Sequence, residues 1–223
     1  MSNPEGAAGE PVTLYGASYS VYVRAVRLVL AEKCVDYEHV EVDVFGSPRD
    51  KAAQQARHPF GRIPSLRHGA FELYESGAIT RYIDEAFPGP ALQPPLPRER
   101  ARLNQMLSIL DSYAYRALVW GVYVEAVQKP NSGDQPDGPA LKLAMHQSDT
   151  CLAALEALAD GGGPWLMGAQ ITLADLHAAP MFAYFGLAPE GEALIRSRPR
   201  LSAWWRSAAA LDSMAATVLR EFS

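Results

Sequence analysis

The sequence predicts two domains, an α/β domain followed by an all-helical domain. Up to residue 88, short apolar runs typical of strands alternate with segments of helical apolar spacing, in the order β-α-β-α-β-β-α. A cluster of prolines follows between residues 88 and 97 and indicates a semi-rigid linker. After the linker every apolar pattern is helical. We therefore expect domains at residues 1–88 and 98–223, joined by a linker at 89–97.

Composition and charge exclude several classes of protein. The 223 residues carry a formal net charge of -5 without a basic run, which argues against nucleic-acid binding. No stretch is long and apolar enough to span a membrane. Two cysteines are too few for a disulfide framework and do not resemble a metal-binding set. We therefore expect a cytoplasmic protein without a bound metal.

The first domain is read from changes in apolar spacing. Alternation through Val40, Val42 and Val44 is typical of a strand, whereas spacing of three and four residues after Val21 is typical of a helix. The predicted elements are, in order, a strand at residues 12–15, a helix from 21, a strand at 37–44, a weak helix at 50–57, a hairpin turning near 68–69 and a helix from 77.

The second domain is read from helix start and stop signals. Thr172 and Asp175 resemble a capping box, and the glycines at 161–163 stop the helix before them. The predicted elements are a long helix pair or one bent helix at residues 98–127, a loop at 131–139, a helix through 141–155, a helix from 173 and a last helix at 201–214.

The stretch at residues 58–76 carries the chemistry. The Ile63–Pro64 bond precedes a strand, and we predict that it is cis, with the Ile63 backbone free to pair with an extended peptide. Ser76 falls at a helix N-terminus, which favours a carboxylate. Glu75 beside it can hold an ammonium group. A small peptide with a free amino-acid end would fit this edge.

Two motifs give this stretch a family resemblance. Residues 59–64 (Pro-Phe-Gly-Arg-Ile-Pro) and 75–79 (Glu-Ser-Gly-Ala-Ile) resemble the glutathione-binding half of the glutathione transferases. Matches at 14–16, 173–177 and 198–205 extend the resemblance over nearly the whole chain and are most like the phi class and its bacterial relatives. The resemblance implies the glutathione transferase fold, with a thioredoxin-like N-terminal domain and an all-helical C-terminal domain.

The resemblance also implies an activity. We expect a transferase that adds glutathione, its co-substrate, to an electrophilic small molecule in detoxification, acting as a homodimer. Ile63 would pair with the cysteinyl part of glutathione next to Pro64, and Glu75 with Ser76 would hold the γ-glutamyl group. A cation is needed for the glycyl carboxylate, and Arg49 and Lys51 are candidates, although either can equally be a solvated surface charge.

Activation of the glutathione thiol is assigned to Ser20. A free thiol has a pKa near 8.5, and one donated hydroxyl hydrogen bond near a helix N-terminus stabilises its thiolate. Ser20 lies four residues after Gly16 and four before Arg24, as the catalytic serine does in the serine-type classes. The alternatives are that Ser20 only caps the helix, or that Tyr15 or Tyr19 is the activator.

The remaining candidate site residues are one arginine and three aromatic residues. Arg62 stands where the phi class commonly has glutamine, so its side chain is a candidate ligand contact. Tyr19, Tyr113 and Trp120 are candidates to line an electrophile pocket that the resemblance places between the domains, although an aromatic stripe is more often core.

Two further residues are expected to be structural. Cys34 stands where the family pattern leads us to expect a glycine, and we expect it to be buried at the end of the first helix. His177 is expected to belong to the core of the second domain.

Other activities on the same fold stay open. A glutathione-dependent peroxidase or isomerase is one alternative, and a non-catalytic binding module is another. A disulfide oxidoreductase is disfavoured because no Cys-x-x-Cys follows the first strand.

Overall fold

A computed structural model describes residues 9–218, apart from the side chains of residues 48 and 49. By its contacts the chain forms two compact units. The first unit contains the chain up to Ala91 together with the segment from Asp212 onward, and the second contains Leu92–Leu211. The segment from Asp212 onward therefore groups with the α/β part of the chain, whereas the sequence places it in the helical domain.

The first unit contains a mixed four-stranded sheet with helices, which is the predicted thioredoxin-like arrangement. The strand order is β2-β1-β3-β4, with β1 parallel to β2 and antiparallel to β3, and β3 antiparallel to β4. Its elements are β1 Val12–Tyr15, α1 Val21–Glu32, β2 Glu38–Val40, α2 Pro48–Arg57, β3 Ser65–His68, β4 Phe71–Tyr74 and α3 Ser76–Ala86. The predicted element order is confirmed.

Burial of apolar side chains accounts for the packing of this unit. Leu14 of β1 lies opposite Leu66 of β3 in the sheet, and both side chains are buried. Helices α1 and α3 contact each other, and Val26, Ile79 and Ile83 are among their buried residues. Each such side chain contributes about 1.5–3 kcal/mol when fully buried, so these faces fix α1 and α3 in the unit.

The second strand is shorter than the sequence predicts. Alternation at residues 37–44 predicted eight residues of strand, but β2 ends at Val40. The carboxylate of Glu41 instead accepts hydrogen bonds from the Ser18 amide and hydroxyl at 2.8 and 2.7 Å. Asp43 then forms a turn by accepting from the Phe45 amide at 2.9 Å. The ladder ends at Val40 because its partner Tyr15 is the last residue of β1, which the apolar pattern of residues 37–44 does not reveal.

Helix α1 ends in a Schellman motif in which Cys34 has a left-handed backbone. The Cys34 amide donates to the Ala31 carbonyl at 3.0 Å, and the Val35 amide donates to the Leu30 carbonyl at 2.9 Å. Cys34 has φ of 53°, which explains why glycine is the expected residue there. The expectation that Cys34 is buried is wrong, because its side chain is exposed. This conformation directs the side chain away from the helix it ends.

We expect Cys34→Gly to raise the free energy of unfolding by about 1 kcal/mol, because glycine has no Cβ to oppose the left-handed conformation. Urea unfolding of the two proteins measures the change. Cys34→Ala is the matched control, since it removes the thiol and keeps the Cβ. Equal stability of the glycine and alanine variants would show that the backbone at residue 34 is not strained.

A buried arginine explains why the last helical segment groups with the first unit. Helix α10, Asp212–Ala216, contacts α1. The guanidinium of Arg24 donates to the Met214 carbonyl at 2.9 Å and to the Thr217 hydroxyl at 3.1 Å. The sequence predicts one last helix at 201–214. The structure has two, because α9 ends at Ala209 and α10 begins at Asp212.

The second unit is helical throughout its described residues. Helix α4 continues without a break into a π-helix, so of the two alternatives predicted at 98–127, a helix pair or one bent helix, the chain forms one continuous helix. The elements are α4 Pro97–Ile109, the π-helix Leu110–Gln128, α5 Lys129–Asn131, α6 Gly138–Leu158, α7 Leu173–Phe185, α8 Pro189–Arg196 and α9 Pro199–Ala209. Of the described helices, none has the length and hydropathy needed to cross a membrane.

The predicted capping box at the start of α7 is confirmed, and it is larger than the sequence indicates. The fully buried Asp175 carboxylate accepts from the Thr172 amide and hydroxyl at 2.7 and 2.8 Å. It also accepts from the Leu166 amide at 2.7 Å and from the Trp204 indole at 2.9 Å. Burial raises the pKa of the Asp175 carboxyl, while these four hydrogen bonds oppose the rise.

Candidate functional site

Three of the predicted site segments meet at one edge of the sheet. Tyr15 pairs with Ser65, and Ser65 pairs with Tyr74, so the end of β1, the start of β3 and the end of β4 lie side by side. The turn with Ser20 follows β1, and Ile63–Pro64 precedes β3. Glu75 and Ser76 follow β4. Residues that are more than 50 positions apart in the chain are thereby brought together.

Ser20 is the N-cap of α1. Its hydroxyl oxygen accepts from the Val23 amide at 3.4 Å, and its side chain is half-buried. The turn passes directly against Ile63. A Cβ added at Gly16 would lie 2.4 Å from Val23 Cγ2 and 3.4 Å from Ile63 Cβ, so only glycine allows this approach. Capping by Ser20 is observed, and activation of a thiol stays a prediction.

The other hydroxyls near this turn have partners of their own. The Ser18 hydroxyl donates to Glu41, and the Tyr19 hydroxyl donates to Asp43 at 3.3 Å. The ring of Tyr15 is buried beneath the Arg57 guanidinium, whose central carbon is 4.2 Å from the ring centroid. Neither tyrosine is excluded as the activator by these contacts, but the Ser20 hydroxyl is the one positioned at the helix N-terminus.

The Ile63–Pro64 bond is cis, as predicted. Ile63 lies outside the β3 ladder, which begins at Ser65. Buried Gln54 supports both sides of this bond, because its Nε2 donates to the Arg62 carbonyl at 2.7 Å and to the Ser65 hydroxyl at 3.3 Å. Gln54 could not be predicted as a supporting residue, because no local signal distinguishes it from the exposed Gln55.

Glu75 and Ser76 form the N-terminus of α3. Glu75 is the N-cap and has φ of 73°, a conformation that is uncommon for a residue with a side chain. Such outliers concentrate at functional sites. The Glu75 side chain is 63% exposed, whereas Ser76 is buried. The first turn of α3 contains no acidic residue, so its free amides favour an anion.

A buried histidine lies behind Glu75. The Nε2 atom of His58 is 3.8 Å from Glu75 Oε1, and the His58 side chain is 2% exposed. Burial lowers the pKa of His58, the positive charge of Arg62 lowers it further, and Glu75 opposes the change. No role could be predicted for His58, because a histidine before a turn carries no local signal of its contact with Glu75.

The predicted cation contacts stay predictions. Arg49 lies in the first turn of α2, and its side chain is outside the described residues. Lys51 and Arg62 are exposed. Among the described residues, no group of histidine, cysteine, aspartate and glutamate side chains could hold a metal ion.

The predicted aromatic contacts are all exposed. Tyr113 and Trp120 lie on the π-helix and are 65% and 47% exposed, and Tyr19 is exposed in the first unit. His177 is buried, and its Nε2 lies 2.7 Å from Asp111 Oδ1, as expected of a structural residue of the second unit.

Comparison with known protein families matches both parts of the chain. Residues 14–91 match the family described as glutathione S-transferase, N-terminal domain. Residues 139–206 match glutathione S-transferase, C-terminal domain. Glutathione S-transferase F10 of Arabidopsis thaliana is 32% identical over 197 residues, which cover 87% of this chain and 90% of that protein. Glutathione S-transferase 3 of Zea mays is 30% identical over 209 residues, which cover 93% of each.

Solved structures match to a similar extent. The structure of glutathione S-transferase III in apo form has a TM-score of 0.79 and 31% identity, with coverage of 93% of this chain and 95% of the other. Glutathione transferase F2 from Populus trichocarpa has a TM-score of 0.81 and 26% identity, with coverage of 93% and 97%. Both cover the first unit and the second unit of the fold.

Proposed function

This chain belongs to the glutathione S-transferase family and is similar to its phi class, and we propose that it adds the glutathione thiolate to an electrophilic small molecule. The observation that carries the proposal is the convergence of Ser20, Ile63–Pro64 and Glu75–Ser76 at one edge of the sheet. Each segment supplies a group that one part of glutathione requires.

The binding roles follow from the chemistry of each segment. We propose that the Glu75 carboxylate holds the ammonium of the γ-glutamyl group and that Ser76, with the amides at the start of α3, holds its carboxylate. The Ile63 backbone, outside the ladder, pairs with the cysteinyl part. Arg49 or Lys51 binds the glycyl carboxylate, and Arg62 is a further candidate contact. Tyr19, Tyr113 and Trp120 are proposed to contact the electrophile.

The chemical role of Ser20 is to stabilise the thiolate. Its hydroxyl donates to the sulfur, and the N-terminal amides of α1 favour the negative charge. The thiol proton leaves to solvent, and the sulfur then forms a bond to the electrophilic carbon. The electron pair displaced from that carbon goes to the leaving group or to a conjugated acceptor atom. No permanently charged base is required, because binding itself shifts the thiol towards its anion.

Family membership supports two further properties, assembly as a homodimer and a cytoplasmic location. Neither property depends on the site chemistry argued above.

The function is tested by retention on glutathione-agarose, followed by assays with a panel of electrophiles, a hydroperoxide and an isomerisable substrate. We expect retention, elution by free glutathione and conjugation of at least one electrophile. Peroxide reduction without conjugation would instead assign a peroxidase. Absence of retention at neutral pH would reject the glutathione site.

We expect Ser76→Ala to weaken glutathione binding by roughly tenfold or more. The change removes one charge-assisted hydrogen bond, and such a bond contributes about 1.5–3 kcal/mol. Calorimetric titration measures the affinity. Ser108→Ala is the matched control, because that hydroxyl is exposed and donates only to the Asn104 carbonyl of its own helix. An affinity equal to that of the control would place the γ-glutamyl group elsewhere.

A further inference from the structure

His58 is a buried titratable residue that the proposed chemistry does not use. It follows the last turn of α2, where its amide donates to the Gln54 carbonyl at 2.8 Å. Among the described residues, its Nδ1 atom is buried without a hydrogen-bond partner. Its Nε2 atom faces Glu75 Oε1 at 3.8 Å. A buried ring with one unpaired nitrogen and one nitrogen beside a carboxylate is poised to respond to a proton.

The surroundings of the ring favour the neutral form. The Tyr74 ring lies against it with a centroid distance of 4.7 Å, and the Phe60 ring lies edge-on at 6.0 Å. Arg62 is the positive group that acts on it, and Glu75 is the negative one. Burial is the largest effect and disfavours the imidazolium, Glu75 favours it and Arg62 disfavours it, so the pKa of His58 lies below its ordinary value. The neutral tautomer with hydrogen on Nε2 directs a donor at Glu75.

We propose that His58 is a positioning residue for the Glu75 carboxylate, and that its protonation withdraws Glu75 from the ammonium group of bound glutathione. The inference rests on the proposed function, in which Glu75 holds that ammonium. Glu75 is exposed and has a left-handed backbone, so its carboxylate has few other contacts to fix it. The Nε2 hydrogen of neutral His58 supplies a weak, directional contact from behind.

Protonation of His58 weakens ligand binding because the imidazolium and the ligand ammonium then compete for the Glu75 carboxylate. Imidazolium at 3.8 Å attracts Glu75, with an energy reduced by the solvent around the 63% exposed carboxylate, and the ligand ammonium loses part of its partner. Linkage makes the effect reciprocal, so bound ligand also lowers the pKa of His58. The affinity for the ligand is therefore highest at pH values above the His58 pKa, which lies below its ordinary value. The affinity falls as the pH decreases through that pKa.

The test uses S-methylglutathione, which has the same amino-acid ends and no ionisable thiol. Its affinity is measured by calorimetry at several pH values between 5 and 8. We expect the wild-type affinity to fall roughly threefold to tenfold between pH 7 and pH 5, within the limit of tenfold per pH unit for one titrating group. In His58→Gln, which retains a donor without the titration, the change is expected to stay below about twofold.

The control is His68→Gln. His68 is also buried in the first unit, but its Nδ1 lies 2.8 Å from the Tyr82 hydroxyl, and it pairs with Phe71 at the end of β3 opposite to Ser65, which pairs with Tyr74 beside Glu75. This variant is expected to keep the wild-type pH dependence. An affinity that is independent of pH in the wild type, or equally dependent on pH in His58→Gln, would overturn the role of His58.

A second measurement needs no variant. The imidazole of His58 is titrated by NMR in the wild-type protein, with and without saturating S-methylglutathione. A lower His58 pKa in the complex supports the inference, and an unchanged or higher pKa overturns it. Absence of S-methylglutathione binding at pH 7.5 is a different failure, because it rejects the proposed glutathione site itself.

Discussion

Replacing Ser20 by alanine is expected to slow conjugation at neutral pH by about tenfold to a hundredfold. A hydrogen bond to a charged group contributes roughly 1.5–3 kcal/mol, and one pKa unit corresponds to about 1.4 kcal/mol. Loss of the Ser20 hydroxyl should therefore raise the pKa of the bound glutathione thiol by about one to two units. Below that pKa the thiolate fraction, and with it the rate, falls in the same proportion.

The measurement is the pH profile of conjugation of 1-chloro-2,4-dinitrobenzene, or of another electrophile that the enzyme accepts. In Ser20→Ala the rising limb should move to higher pH, while glutathione affinity changes little because Ile63, Glu75 and Ser76 remain. Ser20→Thr should restore the profile, since threonine also carries a hydroxyl on its Cβ. Ser18→Ala is the matched control, because its hydroxyl donates to Glu41.

The capping role of Ser20 gives a different result. Its hydroxyl accepts from the Val23 amide, so Ser20→Ala should also destabilise the protein by about 1 kcal/mol. If capping is the only role of Ser20, the substitution lowers the free energy of unfolding and leaves the pH profile of conjugation unchanged. A profile in Ser20→Ala that superimposes on the wild type would reject Ser20 as the activator and direct attention to Tyr15 or Tyr19.

Asp175→Ala is expected to lower the free energy of unfolding by about 4–5 kcal/mol, which is exceptional for one substitution. The carboxylate accepts four hydrogen bonds, from Leu166, twice from Thr172 and from Trp204, and it is fully buried. Its removal leaves all four donors in an apolar interior without partners, and each unpaired donor costs about 1–3 kcal/mol before relaxation. Urea unfolding monitored by circular dichroism measures the loss.

Two variants distinguish the effect of losing the hydrogen-bond network from the effect of losing a negative charge. Asp134→Ala removes a carboxylate from an exposed loop and should change stability by less than about 0.5 kcal/mol. Asp175→Asn keeps the size of the side chain but turns one acceptor into a donor, so an intermediate loss is expected. A loss below about 1 kcal/mol in Asp175→Ala would mean that water or neighbouring groups satisfy the four donors.

The cis bond and the two helix starts at the candidate site could be predicted because their signals are local. Proline after Ile63 allowed a cis bond, and the polar residue before an apolar helical pattern placed Ser20 at a cap. The Glu75–Ser76 pair fell at the start of a helix for the same reason. Such signals depend on a residue and its neighbours within a few positions, so one sequence suffices to read them.

The contacts behind those residues could not be predicted. Gln54 supports the segment around Pro64, and His58 lies behind Glu75, yet neither residue differs in pattern from its neighbours. Their roles exist only because the sheet brings α2 beside the ends of β3 and β4. The second strand is shorter than predicted for a related reason, since its ladder ends where the partner strand β1 ends, at Tyr15.

The sequence by itself determined the order of elements and the two-part architecture, because periodicity, caps and turns are local physical preferences. Only the tertiary structure decided which side chains support them. Arg24 of α1 donates to the Met214 carbonyl, 190 positions away. Asp175 binds Trp204 as well as its own cap. These contacts join residues far apart in the chain, and packing of the whole fold sets their distances.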